Sequence, residues 1–194
     1  MNHWQYYLGG RLLEMFNRRQ AAIDLYELAL RHQPKFVRAQ NRIAYLFAAA
    51  GEFDTARERF QSVLQAEPGN AVAHFNLGFV FDKLGRFEDA VCAFREATRL
   101  NPKIDRAWYG LGLAHAALHQ HDEAANALQH AATLQPMNPH AWYQLGMAHH
   151  TLHHAEKVTE VAMHLLRFDP RATRRLILDT GRSDLGYLVK DLVV

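Results

Sequence analysis

Five prolines recur along the chain at a constant interval of 34 residues, at Pro34, Pro68, Pro102, Pro136 and Pro170. A fixed period between about 20 and 50 residues is typical of solenoids, in which each structural unit contacts only its neighbours. Small residues recur in the same register, first as Gly10, Ala44, Gly78, Gly112 and Gly146, and again as Ala22, Ala56, Ala90, Ala124 and Val158. The period therefore predicts one continuous array of similar units and not a set of unrelated domains.

The stretch 71–104 shows what one unit contains. Gly78 and Ala90 are small enough to let two helices approach closely, and large aromatic side chains are available to fill the space around that contact. Gly85 is expected to end the first helix, and Pro102 to end the second, because proline cannot continue a helix. Each unit is therefore predicted to be a helix, a turn and a second helix.

The register divides the chain into five units and a tail. We predict units at residues 3–36, 37–70, 71–104, 105–138 and 139–172, with a C-terminal cap at 173–194. The first unit and the second helix of the fifth depart most from the shared pattern.

Two units also carry a tryptophan, in Trp108-x-x-Leu111-Gly112 and in Trp142-x-x-Leu145-Gly146. With the period and the small residues, this pattern resembles the tetratricopeptide repeat over residues 3 to 172. The resemblance implies an all-α fold, a right-handed α-solenoid of five helix-turn-helix repeats with a C-terminal capping helix. The departures from the family pattern are Gly9, His115, His149, Val158 and Ala162.

The turn inside each unit has one residue in register, which runs Asn17, Gly51, Gly85, His119 and His153. Helices often end on a residue in the left-handed region, which glycine adopts freely and which Asn and His adopt more readily than most residues. We expect all five residues to adopt this conformation.

The tail after residue 172 does not continue the repeat. Leu176 and Ile177 are in register to cover the fifth unit, and Leu185, Leu188 and Leu192 form a second apolar stripe. Because the end of a solenoid must be covered, the tail is predicted to fold back as a cap. The alternative is a docking tail that ends in Val193 and Val194.

In the resembled family the first helix of each repeat lines a concave groove. Here the groove positions combine aromatic side chains with arginine and asparagine, which supply contact area and hydrogen bonds to carboxylates and to peptide backbone. They predict a site for a peptide or a partner helix, with a preference for acidic groups. The candidate residues are Tyr7, Arg11, Arg38, Asn41, Arg42, Tyr45, Phe75, Asn76, Phe79, Arg106, Tyr109 and Tyr143.

Some members of the family hold a C-terminal carboxylate with a Lys/Asn/Asn/Lys/Arg clamp. The corresponding positions here are Tyr7, Arg11, Arg42, Val72 and Asn76. The clamp is absent, which argues against a role in binding chaperone tails.

Ten of the 13 histidines lie between His115 and His164. Pairs such as His149 and His153 are four residues apart and share a helix face. Such pairs supply only two metal ligands, whereas a closed zinc site needs four, so no metal site is predicted. A pH-sensitive C-terminal half is the better interpretation, because imidazoles titrate near neutral pH.

Composition limits the remaining classes of function. A net charge of +2 gives no indication of a nucleic-acid or membrane partner, and no apolar run reaches the roughly 20 residues of a membrane span. The single cysteine, Cys92, cannot form an internal disulfide, and the first residues lack the features of a signal peptide. A cytoplasmic location is therefore the default expectation.

The sequence contains no phosphate-binding loop, zinc-protease motif or nucleophile elbow. We therefore expect no enzymatic activity and no cofactor, and the predicted function is an interaction scaffold or adaptor. Two alternatives stay open, a module that assembles with its own copies and a helical-repeat RNA binder. The sequence does not determine the oligomeric state.

Overall fold

The computed structural model describes residues 2–190, and these contain eleven α-helices, one 3₁₀ helix and no strand. The first six helices are α1 (His3–Met15), α2 (Arg19–His32), α3 (Val37–Ala49), α4 (Phe53–Ala66), α5 (Ala71–Lys83) and α6 (Phe87–Leu100). The next five are α7 (Asp105–Ala117), α8 (His121–Leu134), α9 (Pro139–Thr151), α10 (Ala155–Leu166) and α11 (Pro170–Asp179), followed by the 3₁₀ helix Ser183–Val189.

Consecutive helices pack in pairs, α1 with α2, α3 with α4, α5 with α6, α7 with α8 and α9 with α10. The predicted all-α fold of helix-turn-helix repeats is confirmed. The sequence predicts one continuous array, whereas the structure falls into two compact units that divide after Leu100. The first unit holds α1–α6, and the second holds α7–α11 and the 3₁₀ helix.

The turn between the two helices of every repeat has the predicted left-handed residue. Asn17, His119 and His153 have φ values of 55°, 60° and 58°, and Gly51 and Gly85 have 81° and 70°. Two of the histidines of the C-terminal half are thus explained by backbone geometry.

A side chain near the start of the first helix of a repeat bonds to the loop that precedes the repeat. In four repeats this side chain donates a hydrogen bond to the carbonyl of the periodic proline, six residues earlier. The pairs are Gln40 with Pro34 (3.0 Å), His74 with Pro68, Trp108 with Pro102 and Trp142 with Pro136 (2.9 Å each). Each bond satisfies a loop carbonyl that lies outside the helical hydrogen-bond pattern, and Pro136 O also lies 3.3 Å from His164 Nε2 of α10.

The two helices of a repeat touch at the small position that recurs in each repeat. A Cβ atom added to Gly112 in α7 would lie 2.6 Å from Leu128 Cγ in α8 and 3.2 Å from the carbonyl oxygen of Ala124. Leu128 is only 1% exposed, so it has no room to withdraw. The two helices can therefore approach this closely only with a very small residue at position 112.

We predict that Gly112→Leu destabilises the protein by about 1–3 kcal/mol or more, because it overpacks this contact. The control is Gln129→Leu in α8, which adds a leucine at an exposed position and should change the free energy of unfolding by less than about 0.5 kcal/mol. Urea unfolding of both variants measures the difference, and equal effects would contradict the packing.

The segment after the fifth repeat packs back onto the second unit. Its helix α11 begins at Pro170, three residues before the predicted start of the cap, and Asp169 caps it by accepting a hydrogen bond from Ala172 N (2.9 Å). Leu176 and Ile177 lie in the core of this unit, at 0% and 5% exposure.

The 3₁₀ helix adds a further layer to the second unit, with Leu185 buried in the same core and Leu188 packed against it. Arg182 joins this segment to α10, since its guanidinium donates to Ala155 O (2.6 Å) and to Thr159 Oγ1 (3.0 Å). Leu192, Val193 and Val194, which the sequence analysis assigned to the second stripe and to a docking tail, lie outside the described residues. No helix within residues 2–190 is long and apolar enough to span a lipid bilayer.

Candidate functional site

Nine of the twelve candidate residues lie in the first unit, on the first helices of three repeats. Helix α1 carries Tyr7 and Arg11, α3 carries Arg38, Asn41, Arg42 and Tyr45, and α5 carries Phe75, Asn76 and Phe79. Tyr45 and Phe79 are 45% and 38% exposed, which is unusual for large aromatic side chains.

The α1 end of this face is built on aromatic packing. Phe36, just before α3, is buried, and its ring meets Trp4 and Tyr7 edge-on at centroid distances of 5.0 and 5.2 Å. Tyr7 also packs against Tyr26 of α2 (5.6 Å). Much of the Tyr7 side chain is therefore buried by its neighbours. Trp4 is 40% exposed, and the Arg38 guanidinium lies 5.3 Å from the centroid of its ring.

An ion-pair network crosses the middle of the face. Glu14 of α1 accepts hydrogen bonds from the Arg42 guanidinium of α3, with 2.9 Å between Nε and Oε1, and from the Tyr26 hydroxyl of α2. The Glu14 side chain is only 11% exposed and that of Arg42 is 27% exposed. Burial, together with Glu14, raises the pKa of the Tyr26 phenol, so the phenol remains a hydrogen-bond donor.

This network determines which of the predicted arginines has hydrogen-bond donors free for a partner. The guanidinium of Arg42 binds Glu14 and lies 4.8 Å from the Tyr45 ring, so its donors are largely occupied within the protein. Arg11 and Arg38 are exposed and form no ion pair with any residue in 2–190. The attraction to acidic groups that the sequence predicts for Arg42 is therefore better assigned to Arg38 and Arg11.

We predict that Arg42→Ala destabilises the protein by about 1–3 kcal/mol, because Glu14 loses a charged partner in a partly buried position. Arg59→Ala is the matched control, since Arg59 of α4 is exposed and has no ion pair or cation–π contact within residues 2–190, and it should cost less than about 0.5 kcal/mol. The measurement is the free energy of urea unfolding at low salt. A similar cost for both substitutions would show that the network adds nothing.

The α5 part of the face combines a packed and an open aromatic ring. Phe75 packs toward Phe94 of α6 (6.1 Å), whereas Phe79 is more exposed and has the Lys83 ammonium 5.3 Å from its ring.

On α3, Asn41 Oδ1 is buried and accepts no hydrogen bond from any described residue. A buried acceptor without a partner is costly in free energy.

The remaining three candidates lie in the second unit and have less free surface. Tyr109 is half-buried against the core of that unit, and burial raises its pKa. The Tyr143 hydroxyl donates to Asp179 of α11 (2.5 Å), and Arg175 lies 4.9 Å from its ring, so α11 covers part of this side chain. Arg106 is exposed.

Three further histidines of the C-terminal half pack or hydrogen-bond within their own repeats. His130 and His164 stack on the tryptophans of their own repeats, at centroid distances of 4.3 Å from Trp108 and 3.9 Å from Trp142. His115 is buried and its Nδ1 lies 2.6 Å from Gln120 Oε1. Within residues 2–190, no three His, Cys, Asp or Glu side chains are grouped as metal ligands would be.

His149 is the histidine with the least favourable surroundings for a charge. It is 7% exposed, its Nδ1 is buried without a hydrogen-bond partner among the described residues, and its ring lies 5.7 Å from that of His154. Burial lowers the pKa of His149, and the positive charges of Lys157 and His154 lower it further.

Because the pKa of His149 is lower in the folded than in the unfolded chain, stability is complete above the unfolded value of about 6.5 and falls as the pH drops below it. We predict that His149→Phe reduces this loss, since Phe47 and Phe81 occupy the equivalent position in two other repeats. Thermal melts between about pH 7 and 5 test the effect. The control His153→Asn, at the left-handed turn, should keep the wild-type pH dependence, and an unchanged slope in His149→Phe would contradict the prediction.

Three models of the tetratricopeptide repeat match the chain, at residues 7–71, 47–114 and 105–138, and together they span residues 7–138. The chain belongs to the tetratricopeptide repeat family. Proteins of this family generally mediate protein–protein interactions and are generally non-catalytic. No curated protein sequence matches the chain significantly.

Solved structures share the fold over nearly the whole chain. MamA from Desulfovibrio magneticus RS-1, from residue 41 to its end, is 20% identical with a TM-score of 0.74, covering 93% of this chain and 96% of that one. YrrB, described as a TPR protein with an unusual peptide-binding site, is 22% identical with a TM-score of 0.76, covering 91% and 90%. PilF from Pseudomonas aeruginosa is 19% identical with a TM-score of 0.74, covering 98% and 93%. At these identities the likeness shows the fold alone.

Sequence analysis did not identify Glu14 as the centre of the face. Its only signal was that it is one of the few acidic residues at the predicted groove positions, 28 residues before Arg42. The bonds to the proline carbonyls were also missed, because glutamine, histidine and tryptophan share no obvious property except a side-chain N–H.

Proposed function

We propose that the protein is a non-enzymatic adaptor that binds an extended peptide or a helix of a partner protein on the α1, α3 and α5 face of the first unit. The observation that carries the proposal is the combination of exposed aromatic rings and unpaired arginines on that one face. Trp4, Tyr45 and Phe79 offer apolar area, and Arg38 offers a charge next to it.

The presence of aromatic rings beside a free arginine on this face favours a partner segment with both apolar and acidic residues. Aromatic side chains give contact area at low entropic cost, while a free guanidinium binds carboxylates in a fixed geometry. Binding on this face thus uses two chemically distinct contacts.

The similarity to YrrB adds modest support, since that protein is described as having an unusual peptide-binding site. The two chains are only 22% identical, so the likeness carries the fold and not the binding residues. The cytoplasmic location expected from the sequence remains part of this proposal.

The test is selection of peptides from a random display library on the full chain, followed by fluorescence anisotropy with the selected peptides. We expect the selected sequences to be rich in Asp and Glu beside apolar residues. Arg38→Glu should weaken their binding about tenfold or more, as expected when a favourable charge contact becomes repulsive.

The matched control is Arg59→Glu, which makes the same charge change on an exposed position of α4 and should leave the affinity nearly unchanged. Tyr45→Ala and Phe79→Ala should each weaken binding through lost apolar contact. Peptides that bind equally well to Arg38→Glu and Arg59→Glu would refute the acidic preference, and peptides that bind all variants equally would refute the face itself.

The RNA-binding alternative is less well supported than the adaptor, because two cations of this face, Arg42 and Lys83, already form ion pairs with Glu14 and Asp82. Affinity for single-stranded RNA that fell steeply with salt would favour it over the adaptor.

A further inference from the structure

Helix α1 exposes a continuous apolar stripe that the proposed peptide site does not use. Leu8, Leu12, Met15 and Phe16 are 62%, 54%, 81% and 70% exposed. They are separated by three or four residues, so they lie on one side of the helix and its C-terminal end. Four large apolar side chains that are each more than half exposed mark an interaction surface.

The repeat register shows that part of this stripe lies where other repeats are covered. The residues equivalent to Leu12 are all buried, namely Leu46 at 8%, Val80 at 0%, Ala114 at 0% and Ala148 at 6% exposure. Helices α3, α5 and α9, which carry three of these buried equivalents, each pack against the helix that precedes them. No helix precedes α1 in the described residues.

A further repeat is a poor occupant for this face. The residues equivalent to Gln5 are alanines with no exposed surface, namely Ala39, Ala73, Ala107 and Ala141. Their small size lets a neighbouring helix approach, whereas the glutamine is larger. The Gln5 side chain is also occupied, because it accepts a hydrogen bond from Asn2 N (2.9 Å) in the capping box of α1.

Arg11, the only arginine of α1, is exposed beside the stripe. Glu14 is the only acid in α1, and its carboxylate binds Arg42 and Tyr26 inside the fold. An occupant must therefore match the stripe mainly by apolar shape.

The positions of the leucines and the phenylalanine match a second copy of the same helix. When two α1 helices run antiparallel with a two-fold axis at Leu12, Leu12 meets its own counterpart, and Leu8 lies opposite Phe16 of the second copy. We propose that α1 is a self-association surface, through which two copies of this chain pair head to head in this antiparallel register.

The size of the stripe sets the strength of the pairing. It presents on the order of 500 Å², within the roughly 300–600 Å² of the largest apolar patch on a typical monomer. A standard stable interface buries about 800 Å² per partner, so the dimer is weak and forms only at elevated protein concentration. Because the two-fold contact is isologous, association stops at the dimer and does not extend into a filament.

The test is sedimentation velocity over a wide range of protein concentration, with the fold of each variant checked by circular dichroism. The wild-type chain should pass from monomer to dimer. Leu8→Glu and Phe16→Lys should each shift the midpoint at least tenfold to higher concentration. Mixing these two variants should restore a dimer, because the glutamate then lies opposite the lysine of the other copy, and the second Leu8–Phe16 contact stays intact.

The matched control is Leu178→Glu, which changes another highly exposed leucine, in α11, at 69% exposure. It should leave the midpoint unchanged, whereas loss of the dimer in this variant would indicate a head-to-tail contact and overturn the head-to-head pairing. A Leu12→Cys variant in a Cys92→Ser background should form a disulfide-linked dimer on oxidation, and Leu178→Cys in the same background should not.

A wild-type chain that stays monomeric at every concentration would overturn the proposal, as would a dimer that none of the α1 substitutions affects. Phe16→Lys and Leu12→Cys separate these outcomes from the peptide site, because neither position is equivalent to a candidate residue of that site, whereas Leu8 is equivalent to Arg42.

Discussion

The close contact between the two helices of a repeat is the constraint on which the rest of the structure depends. At Gly10, Gly78 and Gly112, an added Cβ atom would lie within 2.6–2.7 Å of a ring or branched side chain in the second helix. Contact at this distance fixes which face of each helix points inward, and so which face is left for other uses. The exposed candidate residues of α3 and α5 lie on the sides of these helices that this packing leaves free, whereas Leu12 is exposed because no helix in residues 2–190 precedes α1.

The sequence predicted this part of the structure well, and the reason is physical. A helix backbone that packs directly against a large side chain of the next helix tolerates few residue types, so Gly or Ala recurs in register at this position. The same holds for the turns, where a left-handed residue is required and Asn17, Gly51, Gly85, His119 and His153 all adopt positive φ. Requirements on the backbone restrict the residue type strongly, and a strong restriction is visible in a single sequence.

The candidate site was predicted less well, because side-chain chemistry has more than one solution. The hydrogen bond to the periodic proline carbonyl is made by Gln40, His74 or Trp108 with the same result, so residue type does not reveal it. Arg42 and Arg38 look alike in the sequence, both being arginines at predicted groove positions. They differ only because Glu14 lies within reach of one, and that distance depends on how α1 and α3 pack. Position on a helix face can be deduced from periodicity, but whether a charge is already paired cannot.

The pairing of Arg42 also bears on how a groove of this kind becomes selective. Glu14 carries a negative charge on a face that is mainly aromatic and basic, and Arg42 neutralises this charge. The guanidinium donors of Arg42 are then less available to a partner. A partner carboxylate that approached Arg42 would compete with an intramolecular bond already formed, whereas one that approached Arg38 meets a guanidinium stacked near Trp4 with its donors free. Selectivity for acidic segments should therefore be concentrated at the Trp4 end of the face, with apolar contacts dominating toward Tyr45 and Phe79. The direction in which a peptide lies would follow from this asymmetry, because its acidic end and its apolar end have different positions to occupy.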